Sequence, residues 1–328
     1  MRFTTGQQPQ APVSERRYKL LIVAPTCFYY QVSLFRRLAE HSRFDLRVYF
    51  CSDEALRARD VQKMYKVEVP WGDESELLDG YDYQFLKNYS PSPSYLKWPY
   101  GLVNIGIINE IRKHRPDAVV LMSWMNFTWW AAIIASKFYN VPFFYLTDAN
   151  IEGEMSGARW KSWVKRFLLA KGIFSWASGF LCAGIANRKL YEYYGVPDRK
   201  LIPFAYSWGY EPLLDASSDL RAKKEELRDE LGIPKDKFVI LYSGRLSPEK
   251  SPFHILDAYK SVNSADKALV FVGDGELRQA MQDYVEEHDF QSVYFCGFQD
   301  RNEIPKYFAS ADVLVLPSRR GDLGHGNK

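Results

Sequence analysis

A chain of 328 residues with 47% hydrophobic content has enough apolar material for roughly two globular cores, which excludes a disordered polymer. A net charge of +3 and a pI near 8.4 are too mild for a dedicated nucleic-acid binder, so no nucleic acid is expected as a partner and any anion site must be local. Four cysteines, Cys27, Cys51, Cys182 and Cys296, fall in or beside apolar runs without zinc or redox spacing, and read as buried thiols of a cytoplasmic protein.

Taken in order, residues 1–17 lack the apolar core of a signal peptide and read as a disordered leader. Strand and helix signals then alternate. "YKLLIVAP" is a buried strand, "YQVSLFRRLAEH" a helix and "FDLRVYF" the next strand. Residues 118–136 carry no charge and are long enough in principle to cross a bilayer. A strand "AVVLM", a polar turn and an amphipathic helix from Phe127 to Tyr139 fit the neighbouring rhythm better. "VPFFYLTD" and "IFSWASGFLCAG" supply further strands, and "NRKLYEYYG" is a short helix closed by Gly195. Residues 18–207 thus form one Rossmann-like domain.

After the charged surface helix in "SSDLRAKKEELRDELG", the strands "KFVILYSG", "KALVFVGDG", "SVYFCGF" and "ADVLVLPS" alternate with helices at 252–262, 276–287 and 302–310. Residues 208–328 form a second Rossmann-like domain, expected to be incomplete because four strands make a small sheet of this type. An α/β chain of two such domains is expected to bind its ligand at the carboxyl ends of strands, in a cleft between them.

The densest chemistry lies in "LYSGRLSPEKSPFHIL", where a strand runs into Gly244 and a helix follows. Gly244 lets a ligand approach the backbone, Arg245 offers a planar fork to two phosphate oxygens, and Lys250 adds a point charge. Pro252 fits the first helical position after Ser251, leaving helix N–H groups beside the same spot. An Arg245–Glu249 surface pair is the alternative use of that guanidinium. In "GDGELR" the arginine at 278 breaks a dinucleotide fingerprint, and Asp274 and Glu276 either cap the following helix or contact the ligand.

These motifs, with "FVGDGELR" and "VYFCGFQDRNEIPKYFASADVLVLPS", resemble the carboxyl-terminal domain of the family 4 retaining glycosyltransferases of GT-B fold, over residues 235 to 318. The resemblance implies a sugar-nucleotide donor whose diphosphate is held by Arg245 and Lys250. Gly244, Glu249, Gly273 and Gly275 would line the donor site, and Gly297 and Phe298 would meet the base. In the amino-terminal half, "APTCFYYQVSLFRRLAEHSRFDLRVYFCSD", "GYDYQFLKN" and "CAGIANRKLYEYYGVP" are similar to one branch of that family. This similarity implies an acceptor side made by Thr26, Tyr29, Tyr30, Asp148 and Asn187.

Three departures stand out against the family pattern: Ser251 replaces a usual Gly, Met122-Ser123-Trp124 replaces His-Gly-Trp, and "LTDAN" replaces an Arg and Glu. The resemblance further implies that the acceptor, a saccharide or lipid-linked saccharide, attacks from the face the diphosphate leaves, with no side-chain nucleophile and no cofactor. The absence of an Asp-x-Asp pair agrees with no obligatory metal. A non-catalytic sugar-nucleotide-binding protein and a sugar-nucleotide epimerase are the rival functions. The basic, Trp-rich stretch 159–176 either contacts a membrane peripherally, at the inner face, or packs on its own sheet.

Overall fold

The computed structural model describes residues 16–57, 77–151, 172–205, 219–299 and 303–318. The chain divides into two compact units, one of Met1–Asp53 and Ser75–Tyr206, the other of Glu54–Glu74 and Ser207–Lys328.

The first unit is built in the order β1 (Tyr18–Ala24), α1 (Tyr29–Glu40), β2 (Phe44–Phe50), β3 (Tyr83–Phe85), α2 (Ile107–His114), β4 (Ala118–Leu121), α3 (Phe127–Phe138), β5 (Phe143–Thr147), α4 (Ile173–Trp176), β6 (Gly179–Cys182), α5 (Ile185–Tyr193) and β7 (Leu201–Pro203). All seven strands are parallel, in the order β3-β2-β1-β4-β5-β6-β7. Leu21, Ile22, Val23 and Ala24 are all buried, the continuous apolar run demanded of a strand covered on both faces. The core on one side is strongly aromatic, with Trp129, Tyr145, Phe174, Phe180 and Tyr191 in one cluster.

The second unit follows as α6 (Lys224–Glu230), β8 (Phe238–Ser243), α7 (Phe253–Ser261), β9 (Lys267–Val272), α8 (Arg278–Glu287), β10 (Val293–Gly297), α9 (Ile304–Ser310) and β11 (Val313–Leu314). Its four parallel strands run β10-β9-β8-β11. In both sheets the first strand lies at the point where strand order reverses, β1 between β2 and β4 and β8 between β9 and β11. The loops leaving β1 and β8 therefore open at the switch points where such sheets take ligands.

Several sequence expectations need correction. "IFSWASGFLCAG" splits into a helical turn and a strand that begins only at Gly179. "ADVLVLPS" contributes only Val313–Leu314, an edge strand with both side chains about two-fifths exposed. Helix α3 is not amphipathic, because Phe127, Trp130, Ile134 and Phe138 face solvent while Trp129, Ala132 and Ile133 are buried. The cysteines are thiols, with Cys27, Cys51 and Cys182 buried and Cys296 half-buried. Among the described residues no helix is long and apolar enough to cross a membrane. Of the stretch 159–176, residues 159–171 lie outside the described residues; in the rest, Ile173 and Phe174 are buried and Trp176 is exposed.

Candidate functional site

The carboxyl edge of the second sheet is assembled from three loops joined by main-chain hydrogen bonds. Gly244 N–H donates to the Val272 carbonyl at 2.9 Å, Leu246 N–H to that of Asp274 at 2.9 Å, Leu277 N–H to that of Leu246 at 3.0 Å, and Gly273 N–H to that of Gly297 at 2.7 Å. The junction requires glycine. A Cβ on Gly273 would fall far inside contact distance of the Gly244 carbonyl oxygen, and one on Gly275 would strike the Leu246 carbonyl. Gly273, at φ +133°, also has a backbone conformation that side chains resist. So Gly273 and Gly275 serve loop-to-loop approach, whereas a Cβ on Gly244 would meet only the Tyr242 ring at 3.5 Å or more.

Arg245 and Lys250 are presented by this frame. Leu246, fully buried in the core with Tyr242, Ile255 and Met281, pins the loop between them. The Tyr242 hydroxyl donates to the Arg245 carbonyl at 2.7 Å. Burial pushes that phenol well above its usual range, and the nearby Arg245 guanidinium pulls the other way. Residues Pro248–Lys250 form a 3-10 turn, with the Lys250 N–H on the Ser247 carbonyl at 3.0 Å. Arg245 and Lys250 are both half-exposed, and Glu249 is exposed. Ser247, missed in the sequence, is 4% exposed and its hydroxyl has no partner among the described residues. A serine in a loop reads as solvated until Leu246 is seen to drag it inward.

The start of α7 differs from expectation. Pro252 is the N-cap rather than the first helical residue, and Ser251 before it adopts φ +51°. The N–H groups of His254 and Ile255 donate to the carbonyls of Ser251 and Pro252, at 3.2 and 3.1 Å, so these two are already committed. Asp274 does not cap α8, whose N-cap is Leu277. It accepts from the Gly275 N–H at 2.7 Å and from Arg278 at 2.6 Å. The same Arg278 guanidinium lies beside Gly297, at φ +70°. The register of β10 on β9 shifts between Phe295 and Gly297, and the exposed Phe298 follows this irregularity.

In the first unit the loop after β1 is braced by rings. Phe28 stacks on Tyr30 at 5.2 Å and meets Tyr95 edge-on at 5.4 Å. Thr26 is fully buried, so Tyr29, 37% exposed, is the member of that loop most open to solvent. Gln31 is buried with its amide oxygen unpartnered among the described residues, a group the sequence hides because Gln in a helix reads as surface. Asp148 follows β5 and is half-buried; burial raises its carboxyl to about 6, against the pull of its own backbone N–H. On either side of it, Thr147 shares a 2.8 Å hydrogen bond with Tyr191, and the Ala149 carbonyl accepts from Asn187 at 2.6 Å. The other end of the Asn187 amide accepts from Ala183 N–H at 3.2 Å, so this buried side chain braces two loops. Met122, at the position where the resembling branch has histidine, is buried; Ser123 accepts from the Met125 N–H at 3.2 Å and Trp124 is buried against Tyr145 and Phe174.

Among the described residues, no three His, Cys, Asp or Glu side chains converge as metal ligands. A cavity of about 180 Å³ opens at the opposite, amino-terminal edge of the second sheet, lined by Lys237, Lys267 and Ser292. Two of its lysines are engaged, Lys237 with Ser292 and Lys267 with the carbonyls of Tyr259 and Val262, and it lies at the end of the sheet away from Arg245 and Lys250.

The loop frame around Arg245 and Lys250 lies within the part of the chain that matches a family model. Residues 223–326 match the model of the family described as Glycosyl transferases group 1. That span is about a third of the chain. Over 102 residues the chain is 33% identical to the UDP-Gal:alpha-D-GlcNAc-diphosphoundecaprenol alpha-1,3-galactosyltransferase of Escherichia coli, covering 29% of this chain and 26% of that protein. Over 110 residues it is 28% identical to the lipopolysaccharide 1,2-N-acetylglucosaminetransferase of Salmonella typhimurium, covering 30% and 29%. These matches span well under half the length of either relative. The structure is similar to Anabaena Alr3699/HepE in complex with UDP, with a TM-score of 0.60 and 16% identity over 93% of this chain and 74% of that one. The fold is therefore GT-B.

Proposed function

We propose that the protein is a retaining, hexosyltransferase-type glycosyltransferase that moves a sugar from a nucleotide-diphosphate-sugar to a saccharide or lipid-linked acceptor. It would do so in cell-envelope polysaccharide synthesis, at the cytoplasmic side of a membrane and without an obligatory metal. The observation that carries this reading is the main-chain junction at the carboxyl edge of the second sheet, which places Arg245 and Lys250 on a rigid loop at the switch point. The family match spans the same loop, one relative's name specifies a diphosphoundecaprenol-linked acceptor, and the HepE structure carries UDP.

In this reading the two cations hold the diphosphate and stabilise the negative charge that builds on it as the glycosidic bond breaks. The Ser247 hydroxyl and the exposed Phe298 ring are further donor contacts. The acceptor side falls to the loop of Tyr29 and Tyr30 and to Asp148, whose raised carboxyl can exchange a proton near neutral pH.

The test is calorimetric titration of the protein with UDP and GDP, followed by transfer and hydrolysis assays with the corresponding sugar nucleotides. Replacing both Arg245 and Lys250 by Ala should weaken diphosphate binding roughly 100-fold, about 3 kcal/mol for two charge-assisted contacts. Unchanged affinity would remove the donor site. Binding without transfer or hydrolysis would favour the non-catalytic sugar-nucleotide-binding protein, and donor conversion without an acceptor would favour an epimerase.

A further inference from the structure

The outward face of the α2–α3 layer is apolar where a solvated helix pair should be polar. Phe127, Trp130, Ile134 and Phe138 fall at intervals of three or four residues along α3, in one stripe, and are 43%, 46%, 59% and 75% exposed. The stripe runs the length of a helix about 18 Å long. It extends beyond the helix, since Tyr100 rests its ring on Phe127 at a centroid distance of 5.2 Å and Trp98 nearby is 63% exposed. A contiguous apolar surface of this kind marks an interaction site.

The stretch of chain that carries the stripe has a net positive charge. Between Tyr83 and Thr147 the chain carries six Lys or Arg and two acidic residues. Both acids are engaged: Glu110 accepts from Tyr49 at 2.6 Å and pairs with His114, and Asp117 holds Arg16 and the Lys19 N–H. Lys97, Arg112, Lys113 and Lys137 are exposed.

We propose that this face docks on the surface of an anionic lipid bilayer. Trp and Tyr favour the boundary between acyl chains and headgroups, exposed Phe and Ile reach below it, and basic side chains at the rim meet the negative surface potential. Self-pairing of the same face is opposed by its net positive charge, since two copies would bring the same basic side chains together. The inference rests on the first unit alone and holds whatever reaction the donor loop serves.

The experiment is co-sedimentation of the protein with vesicles of phosphatidylglycerol and phosphatidylcholine, beside vesicles of phosphatidylcholine alone. Retention on the anionic vesicles at low salt, with release at high salt, is expected. The exposed pair Ile134→Ser and Phe138→Ser should lower partitioning at least about tenfold with thermal unfolding unchanged. Lys97→Ala with Lys137→Ala should lower it on anionic vesicles, and Arg245→Ala with Lys250→Ala should leave it unaltered. Failure to sediment with either vesicle, or equal retention of the Ile134 and Phe138 variant, would overturn the proposal. So would a concentration-dependent dimer abolished by those same substitutions, which would assign the face to a second copy of the chain.

Discussion

In the second unit the carboxyl-edge loops meet through main chain, with Gly273 and Gly275 lying against the carbonyls of Gly244 and Leu246. In the first unit the equivalent loops are tied by side chains. Asn187 spans the loops after β5 and β6, and the fully buried Asn104 donates to the carbonyls of Cys51 and Leu86 at 2.9 and 3.0 Å while accepting from Thr128 at 2.7 Å. The two edges are therefore vulnerable in opposite directions. A main-chain junction is broken by adding atoms, a side-chain junction by removing them.

The largest effect should follow from Gly273→Ala, which forces the β8 and β9 loops apart. A loss of about 3 kcal/mol or more is expected in the second unit, with diphosphate binding lost alongside, measured by denaturant unfolding and calorimetry. Asn104→Ala should cost about 3 kcal/mol in the first unit, because it leaves two buried carbonyls without donors. Equal tolerance of both substitutions would erase the contrast.

Asp148 sharpens the comparison through pH. Its folded carboxyl, at about 6, lies above its ordinary value of 3.8, so the folded protein holds the proton more tightly than the unfolded chain does. Stability from this group is full below pH 4 and falls as pH rises toward 6, after which the penalty is constant. Asp148→Asn should therefore stabilise the protein by up to about 3 kcal/mol at pH 8 and leave it nearly unchanged at pH 4, as read from thermal unfolding at both values. The smallest effect has the opposite sign to the first: Ser251→Gly relieves a left-handed backbone and should stabilise by about 0–1 kcal/mol, read as a slightly higher Tm.

Buried parallel strands were legible because each is a bounded apolar run, and the Arg245–Lys250 loop because a strand, a glycine and two cations adjoin in sequence. What escaped were features that depend on distant partners. Tyr83–Phe85 and Leu201–Pro203 are three-residue edge strands that exist only because β2 and β6 template them. The approach of Gly273 and Gly275 to the carbonyls of Gly244 and Leu246 joins loops that are distant in sequence. The apolar outer stripe of α3 was missed because its inward face carries Thr128 and Ser136, which disguise the helix as amphipathic in the wrong sense. The bracing role of Asn187 was hidden for a similar reason, since Ala149 and Ala183, whose backbone it meets, lie on two separate loops.

Arg228 in α6 carries a consequence for synthesis. Its side chain is almost wholly buried and donates to the carbonyls of Lys235, Lys237 and Ser310 and to Asp312 at 2.7 Å. Two of those partners lie 82 and 84 positions later in the chain. A guanidinium so enclosed is costly until its carboxylate arrives. The packing of the second unit is therefore completed late in synthesis, once Ser310 and Asp312 have joined β8 to β10.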